Sequence, residues 1–148
     1  MLQGHDTTAW RGGGVARELA KIATTPARAA VAVEARSAER RVAVSASARI
    51  ADARDRAGAR LVVAYTDSGH VTDVRRGENA GVTLAHEHVV RALATSGPAD
   101  ASGTIAFDTT LDLPSDAGRH ARIVAFVERH DAREVLQAVV LPLDRCYR

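Results

Sequence analysis

A chain of 148 residues, 46% of them hydrophobic, is long enough to bury one ordinary core without disulfide or metal staples. Its 20 basic and 18 acidic side chains nearly cancel, so the pI of about 9.2 comes without the clustered charge and stacking aromatics that nucleic-acid binding needs. Cys146 is the single cysteine, which excludes an internal disulfide or a C-x-x-C pair within these residues, and no run of about 18 apolar residues offers a membrane span.

The opening residues MLQGHDTTAW lack the basic-then-apolar pattern of a signal peptide. Gly12, Gly13 and Gly14 interrupt the chain, and Val15, Ala16, Leu19, Ile22 and Ala23 then recur at the three-to-four spacing of an amphipathic helix. Arg17, Glu18 and Lys21 lie opposite, and Thr24, Thr25 and Pro26 close the segment. The pattern predicts a short helix over about residues 13–23 followed by a linker to residue 28.

The period then changes to two, the mark of half-buried strands. Strands are predicted at 29–36, 41–50, 60–66 and 70–75, then at 82–93, 104–113, 121–128 and 134–141. Turn chemistry separates them at Asp67-Ser68-Gly69, Ser96-Gly97-Pro98, residues 114–118 and Arg129-His130-Asp131. The segment Leu84–Thr95 also fits a helix, since Ala, Leu, Glu and Arg favour one. A strand is the preferred reading, pairing with Thr104–Leu113 in a hairpin that turns at Ser96-Gly97-Pro98. The expected fold is mainly β: an antiparallel β-sandwich of roughly immunoglobulin-like size over residues 29–148, preceded by a short helix within residues 1–28.

Little in the chain points to catalysis. Ser45, Ser47, Ser96 and Ser102 stand outside any G-x-S-x-G elbow, and neither a P-loop, a dinucleotide fingerprint nor an H-E-x-x-H helix occurs, so no cofactor is expected. His86 and His88 are the one candidate metal pair, because residues two apart on a strand share a face; the competing reading makes them sheet-face residues bonded to neighbours. The run Arg75-Arg76-Gly77-Glu78-Asn79-Ala80-Gly81 reads as a structured loop in which Asn79 and the glycines take positive φ and Glu78 bridges to Arg. It is either a polar recognition surface carried by Arg76, Glu78 and Asn79 or a hydrogen-bonded corner that fixes strand register. Trp10 and the stripe Val15, Leu19, Ile22 either pack on the sandwich or form the edge of a neighbouring domain.

The stretch RRGENAGVTLAHEHVVRAL, residues 75–93, resembles the signature of a bacterial family known as domain of unknown function 1223, with its R-G-E-N-x-G and V-V-R-x-L elements. ARIVAFVERHDAREVLQAVVLPL, residues 121–143, is similar to the family's closing strands, and the resemblance runs from about Leu2 to Leu143. LQGHDTTAWRGGGVARELAKI resembles the last strand and terminal helix of a thioredoxin-like domain, which makes residues 1–28 a remnant of that domain and 29–148 the β-sandwich.

The resemblance implies an exported protein, periplasmic or secreted, whose C-x-x-C lies upstream of this chain. It implies a noncatalytic module with a structural or protein-interaction role, whose partner is another protein or the missing thioredoxin-like domain. The alternative is a part of a thiol–disulfide oxidoreductase-like protein. Arg76, Gly77, Glu78, Asn79, His88 and Arg91 fall on the family pattern, which marks Arg76, Glu78, Asn79, His88 and Arg91 as binding candidates.

Overall fold

The structure, a computed structural model, describes residues 14–129 and 134–143. Trp10, His5, His130, Cys146 and the expected thioredoxin-like strand lie outside the described residues. The amphipathic period produces helix α1, Gly14–Thr24, which buries none of its residues. It is followed by β1 (Ala29–Ala38), β2 (Arg41–Ile50), a 3-10 turn at Ala53–Asp55, and β3 (Ala59–Ser68). A short hairpin, β4 (His70–Asp73) with β5 (Thr83–His86), precedes β6 (Val89–Pro98), β7 (Thr104–Asp112), β8 (Arg119–Arg129) and β9 (Glu134–Pro142).

Two antiparallel sheets form the body, one ordered β1-β2-β7 and the other β6-β3-β8-β9. β1 runs alongside β9 and β6 alongside β7, so the sheets close on each other at both edges. Alternation along β2 puts Val42, Val44, Ala46, Ala48 and Ile50 inside while Arg41, Ser45, Ser47 and Arg49 face out. Opposite them, β3 and β8 contribute Leu61, Val63, Tyr65, Ile123, Ala125 and Val127 to the same core. Five of the buried core positions are alanines, Ala29, Ala46, Ala48, Ala59 and Ala125, so small side chains fill much of the space between the layers, and Tyr65 is the largest buried side chain there.

Two expectations are corrected by the structure. The predicted strand 82–93 is broken in two, because His88 takes a left-handed φ of 54° between β5 and β6. Nor do β6 and β7 form a hairpin: β6 runs on to Pro98 and pairs with β3, whereas β7 pairs with β2 in the other sheet. Pro98, with no N–H to give, is tolerated because β6 is an edge strand.

An ion cluster ties the start of the sandwich to its end. Arg28 pairs with Asp55 of the 3-10 turn and with Glu134 at the head of β9, and Arg129 approaches Asp55 at 3.5 Å. The Arg28 hydrogen bond holds the Asp55 carboxyl below the usual carboxylate range against the opposing effect of burial.

Candidate functional site

The densest polar cluster lies at the end of β3, where the chain leaves the sandwich for the β4–β5 hairpin. Asp67 is fully buried, and its two oxygens are divided among three segments. Oδ1 lies 2.5 Å from His70 Nε2, Oδ2 accepts the Gly118 N–H at 2.7 Å, and Arg91 Nη1 stands 3.5 Å from both. Arg91 also donates through Nη2 to Asp116 Oδ1 at 2.7 Å. Burial pushes the Asp67 carboxyl up, but the Gly118 N–H, His70 and Arg91 together outweigh it and hold the group below its ordinary value. The Arg91 hydrogen bond likewise lowers Asp116.

Arg91 reaches this place because of a bulge. The β3–β6 register passes from Tyr65↔Ala92 to Thr66↔Val90, leaving Arg91 as the extra residue, and a bulge re-aims a side chain in this way. Gly118 is required by the close approach of its neighbours, since a Cβ there would fall well inside contact distance of the Ser68 carbonyl and of His70 Nε2. Beside the cluster, the Ser68 hydroxyl is buried and accepts the His88 N–H at 3.0 Å. Every atom of Asp67 is withdrawn from solvent, so the cluster acts as an electrostatic clamp that fixes β4, the β6 bulge and the 113–118 loop onto β3.

Of the binding candidates read from the sequence, Arg91 sits inside this cluster and His88 at its margin, where His88 Nδ1 is 3.1 Å from Arg122 Nη1. Arg76, Glu78 and Asn79 lie elsewhere, all exposed in the loop between β4 and β5. That loop is closed on itself by Ala80 N–H to Gly77 O at 3.0 Å, Gly81 N–H to Val74 O at 2.8 Å and Val82 N–H to Asn79 O at 3.1 Å. Gly77 and Gly81 both take φ of 88°; Asn79 does not take positive φ, and among the described residues no ion pair joins Glu78 to an arginine.

His86 and His88 do not share a strand face, because His88 lies beyond the end of β5. His86 Nε2 instead faces Thr72 Oγ1 at 3.2 Å, and no group of three or more His, Cys, Asp or Glu converges among the described residues. Asp67, His70, Asp116 and Gly118 were not singled out as site residues from sequence, although one signal existed: Asp67 ends the otherwise apolar run Leu61–Thr66.

A second surface stands out on the four-stranded sheet. Its outer face carries four cross-strand rows, Pro98–Arg60–Glu128–Val135, Thr95–Val62–Phe126–Ala138, Leu93–Ala64–Val124–Val140 and Val90–Thr66–Arg122–Pro142. Val62 and Ala64, in the middle of two of these rows, are only 3% exposed yet stand outside the core cluster. Val90, Leu93 and Val140 are 55%, 58% and 55% exposed, an apolar patch of the kind that soluble monomers reserve for contacts. The outer face of the other sheet is different: Ala43, Ser45, Ser47, Ala106 and Thr110 make it small and polar, with Glu34 and Asp108 flanking Ser45. Among the described residues no helix is long and apolar enough to cross a membrane.

The family described as "Protein of unknown function (DUF1223)" matches residues 1–128. No curated protein matches the chain. Among solved structures, HBP35 of Porphyromonas gingivalis is similar, with a TM-score of 0.66 at 15% sequence identity over 90% of this chain and 46% of that one. At that identity the likeness concerns the fold alone, and the chain spans less than half the length of that structure.

Proposed function

This chain belongs to the DUF1223 family, and on that premise we propose that it is a noncatalytic β-sandwich module that holds a partner domain in an exported protein, periplasmic or secreted. A thioredoxin-like domain is the partner that the family resemblance implies. The observation that carries the reading is the apolar outer face of the β6-β3-β8-β9 sheet, with Val90, Leu93 and Val140 all more than half exposed. Interfaces gather apolar side chains at their centre and keep charge to the rim; on this face Arg122 stands in the row at the hairpin end and Arg60 with Glu128 in the row at the opposite end, so charge flanks the two central rows. The Asp67 clamp supports a structural assignment too, since its carboxylate, with no exposed atom, cannot reach a substrate.

The test begins with the coding frame upstream of Met1 and the protein expressed at its full natural length. If a partner domain docks on this face, module and partner unfold in one thermal transition, and Leu93→Lys with Val140→Lys splits it into two. Two separate transitions already present in the native protein, or no partner domain encoded in the frame, refute the reading. A C-x-x-C in the upstream frame would place thiol chemistry in the partner, and a dithiol-dependent reductase assay on the module without it is expected to show no turnover.

A further inference from the structure

We propose that Arg122 and His88, at the hairpin end of the apolar face, anchor a carboxylate side chain of the docked partner domain. The inference rests on the proposed function for the face being covered, and deepens it by giving the partner's surface a charge and an orientation. Arg122 Nη1 donates to His88 Nδ1 at 3.1 Å. An arginine only donates, so this nitrogen of His88 carries no proton and the neutral ring presents its N–H at Nε2. The two side chains therefore offer hydrogen-bond donors and no acceptor. A group rich in acceptors fits there, and a carboxylate meets a guanidinium with two oxygens at once.

The pair is held in place from behind. His88 keeps a left-handed φ of 54°, and its N–H donates to the buried Ser68 hydroxyl at 3.0 Å. Strain at a non-glycine residue persists where the surroundings fix it, and such residues gather at ligand clamps and other functional sites. Register sets Arg122 in the row Val90–Thr66–Arg122–Pro142, next to the row that carries Leu93 and Val140. Nearby Arg91 is neutralised by Asp67 and Asp116, but among the described residues no carboxylate pairs with Arg122. The opposite rim of the face differs, because there Arg60 and Glu128 stand directly across from each other, one of each sign. Docking strips water from the half-buried Arg122, and a desolvated guanidinium without a counter-charge is costly. The partner domain must therefore bring negative charge to the hairpin rim, while the far rim makes no such demand, and this fixes which way round the partner lies.

Carbodiimide coupling in the protein at its full natural length tests the anchor. Arg122→Lys puts an amine where the guanidinium stood, and the reagent joins an amine to a carboxylate in contact with it, with loss of water. Lys21 is the one native lysine of these 148 residues, so a link from position 122 is readily told apart by peptide mapping. The expected product is an amide from position 122 to an Asp or Glu of the partner domain, at roughly ten-fold or more the yield found when Leu93→Ser and Val140→Ser are added to undock the face. No link, a link only to this chain's own Glu87 or Asp116, or a link only to a second copy overturns the proposal. A second measurement needs no coupling: Arg122→Glu is expected to split the single thermal transition of module and partner, while Ser45→Lys on the other outer face leaves it whole. An Arg122→Glu protein that unfolds as the native one does overturns the anchor as well. If both tests fail while Leu93→Lys with Val140→Lys still splits the native transition, the face is covered without this anchor and the docking reading stands. Two separate transitions in the native protein refute both.

Discussion

Asp67 concentrates the electrostatics of this chain in one side chain. Its carboxylate is fully buried and satisfied by His70, Gly118 and Arg91, so exchanging it for an amide takes one of the two carboxylate partners from Arg91 and puts an N–H₂ donor where one of the two acceptor oxygens stood. Asp67→Asn is expected to cost about 2–4 kcal/mol at pH 7, read from urea unfolding. Because folding lowers the Asp67 pKa, the ionised form is favoured in the folded state. That contribution is complete above the unfolded-state value of about 3.9 and is lost as pH falls through the lower folded value. Native protein and Asp67→Asn should therefore differ most near neutrality and converge below about pH 4; a constant gap across that range would mean that the aspartate acts through shape and not charge. Asp55, lowered by Arg28, adds to the acid sensitivity of both proteins in the same direction.

The partners of Asp67 explain why its place at the end of an apolar run is the one mark of the clamp in the sequence. Arg91 is 24 positions away and Gly118 is 51, and an Asp before Ser-Gly reads as turn chemistry until the sheet brings them together. Arg91 and His88 were legible as candidates because they fall in the distinctive 75–93 stretch. What that stretch does not reveal is that Arg91 serves the cluster through a bulge while Arg76, Glu78 and Asn79 belong to a self-closed loop.

At the scale of elements, alternation made β1, β2 and β7 readable, since a one-residue slip would turn the whole apolar set of each toward water, whereas β8 and β9 were readable as apolar runs between turns. The break between β5 and β6 was not readable, because the residue that makes it is His88 and not a glycine. His88 adopts φ of 54°, a region that β-branched residues resist, so His88→Val is expected to cost about 1–2 kcal/mol relative to His88→Gly in urea unfolding. Equal stability of the two variants would show that the break does not constrain the chain. Gly103 imposes a similar requirement at the head of β7. It takes φ of 83°, its carbonyl accepts the Ile50 N–H at 2.8 Å, and a Cβ there would press into the Ile50 carbonyl and the Arg56 side chain. Gly103→Ala is expected to destabilise by about 2–3 kcal/mol, measured the same way.

For the molecule as a whole, the two outer faces of the sandwich differ in a way that composition alone concealed. The residues facing out from β2 and β7 are Ala, Ser and Thr together with the charged Arg41, Arg49, Asp108 and Asp112, while those facing out from β6, β8 and β9 include Leu93, Val124, Phe126 and Val140. β3 reads as an almost unbroken apolar run because its two sets of alternate residues meet different apolar surroundings, Leu61, Val63 and Tyr65 in the core and Val62 and Ala64 on the outer face. A strand buried on both sides within an otherwise alternating sheet is thus the sequence mark of a face that expects cover. This asymmetry makes a paired comparison possible in the full natural chain. Ser45→Lys gains Glu34 and Asp108 as neighbours across the strands, so stability should stay within about 0.5 kcal/mol of native. Leu93→Lys removes an apolar side chain from a face that the docked reading covers, and should lower stability by about 1–2 kcal/mol. If both lysines proved equally harmless, the four-stranded face would be in contact with water alone, and the sandwich would have to exert its function through the hairpin end, where Arg91 and His88 lie.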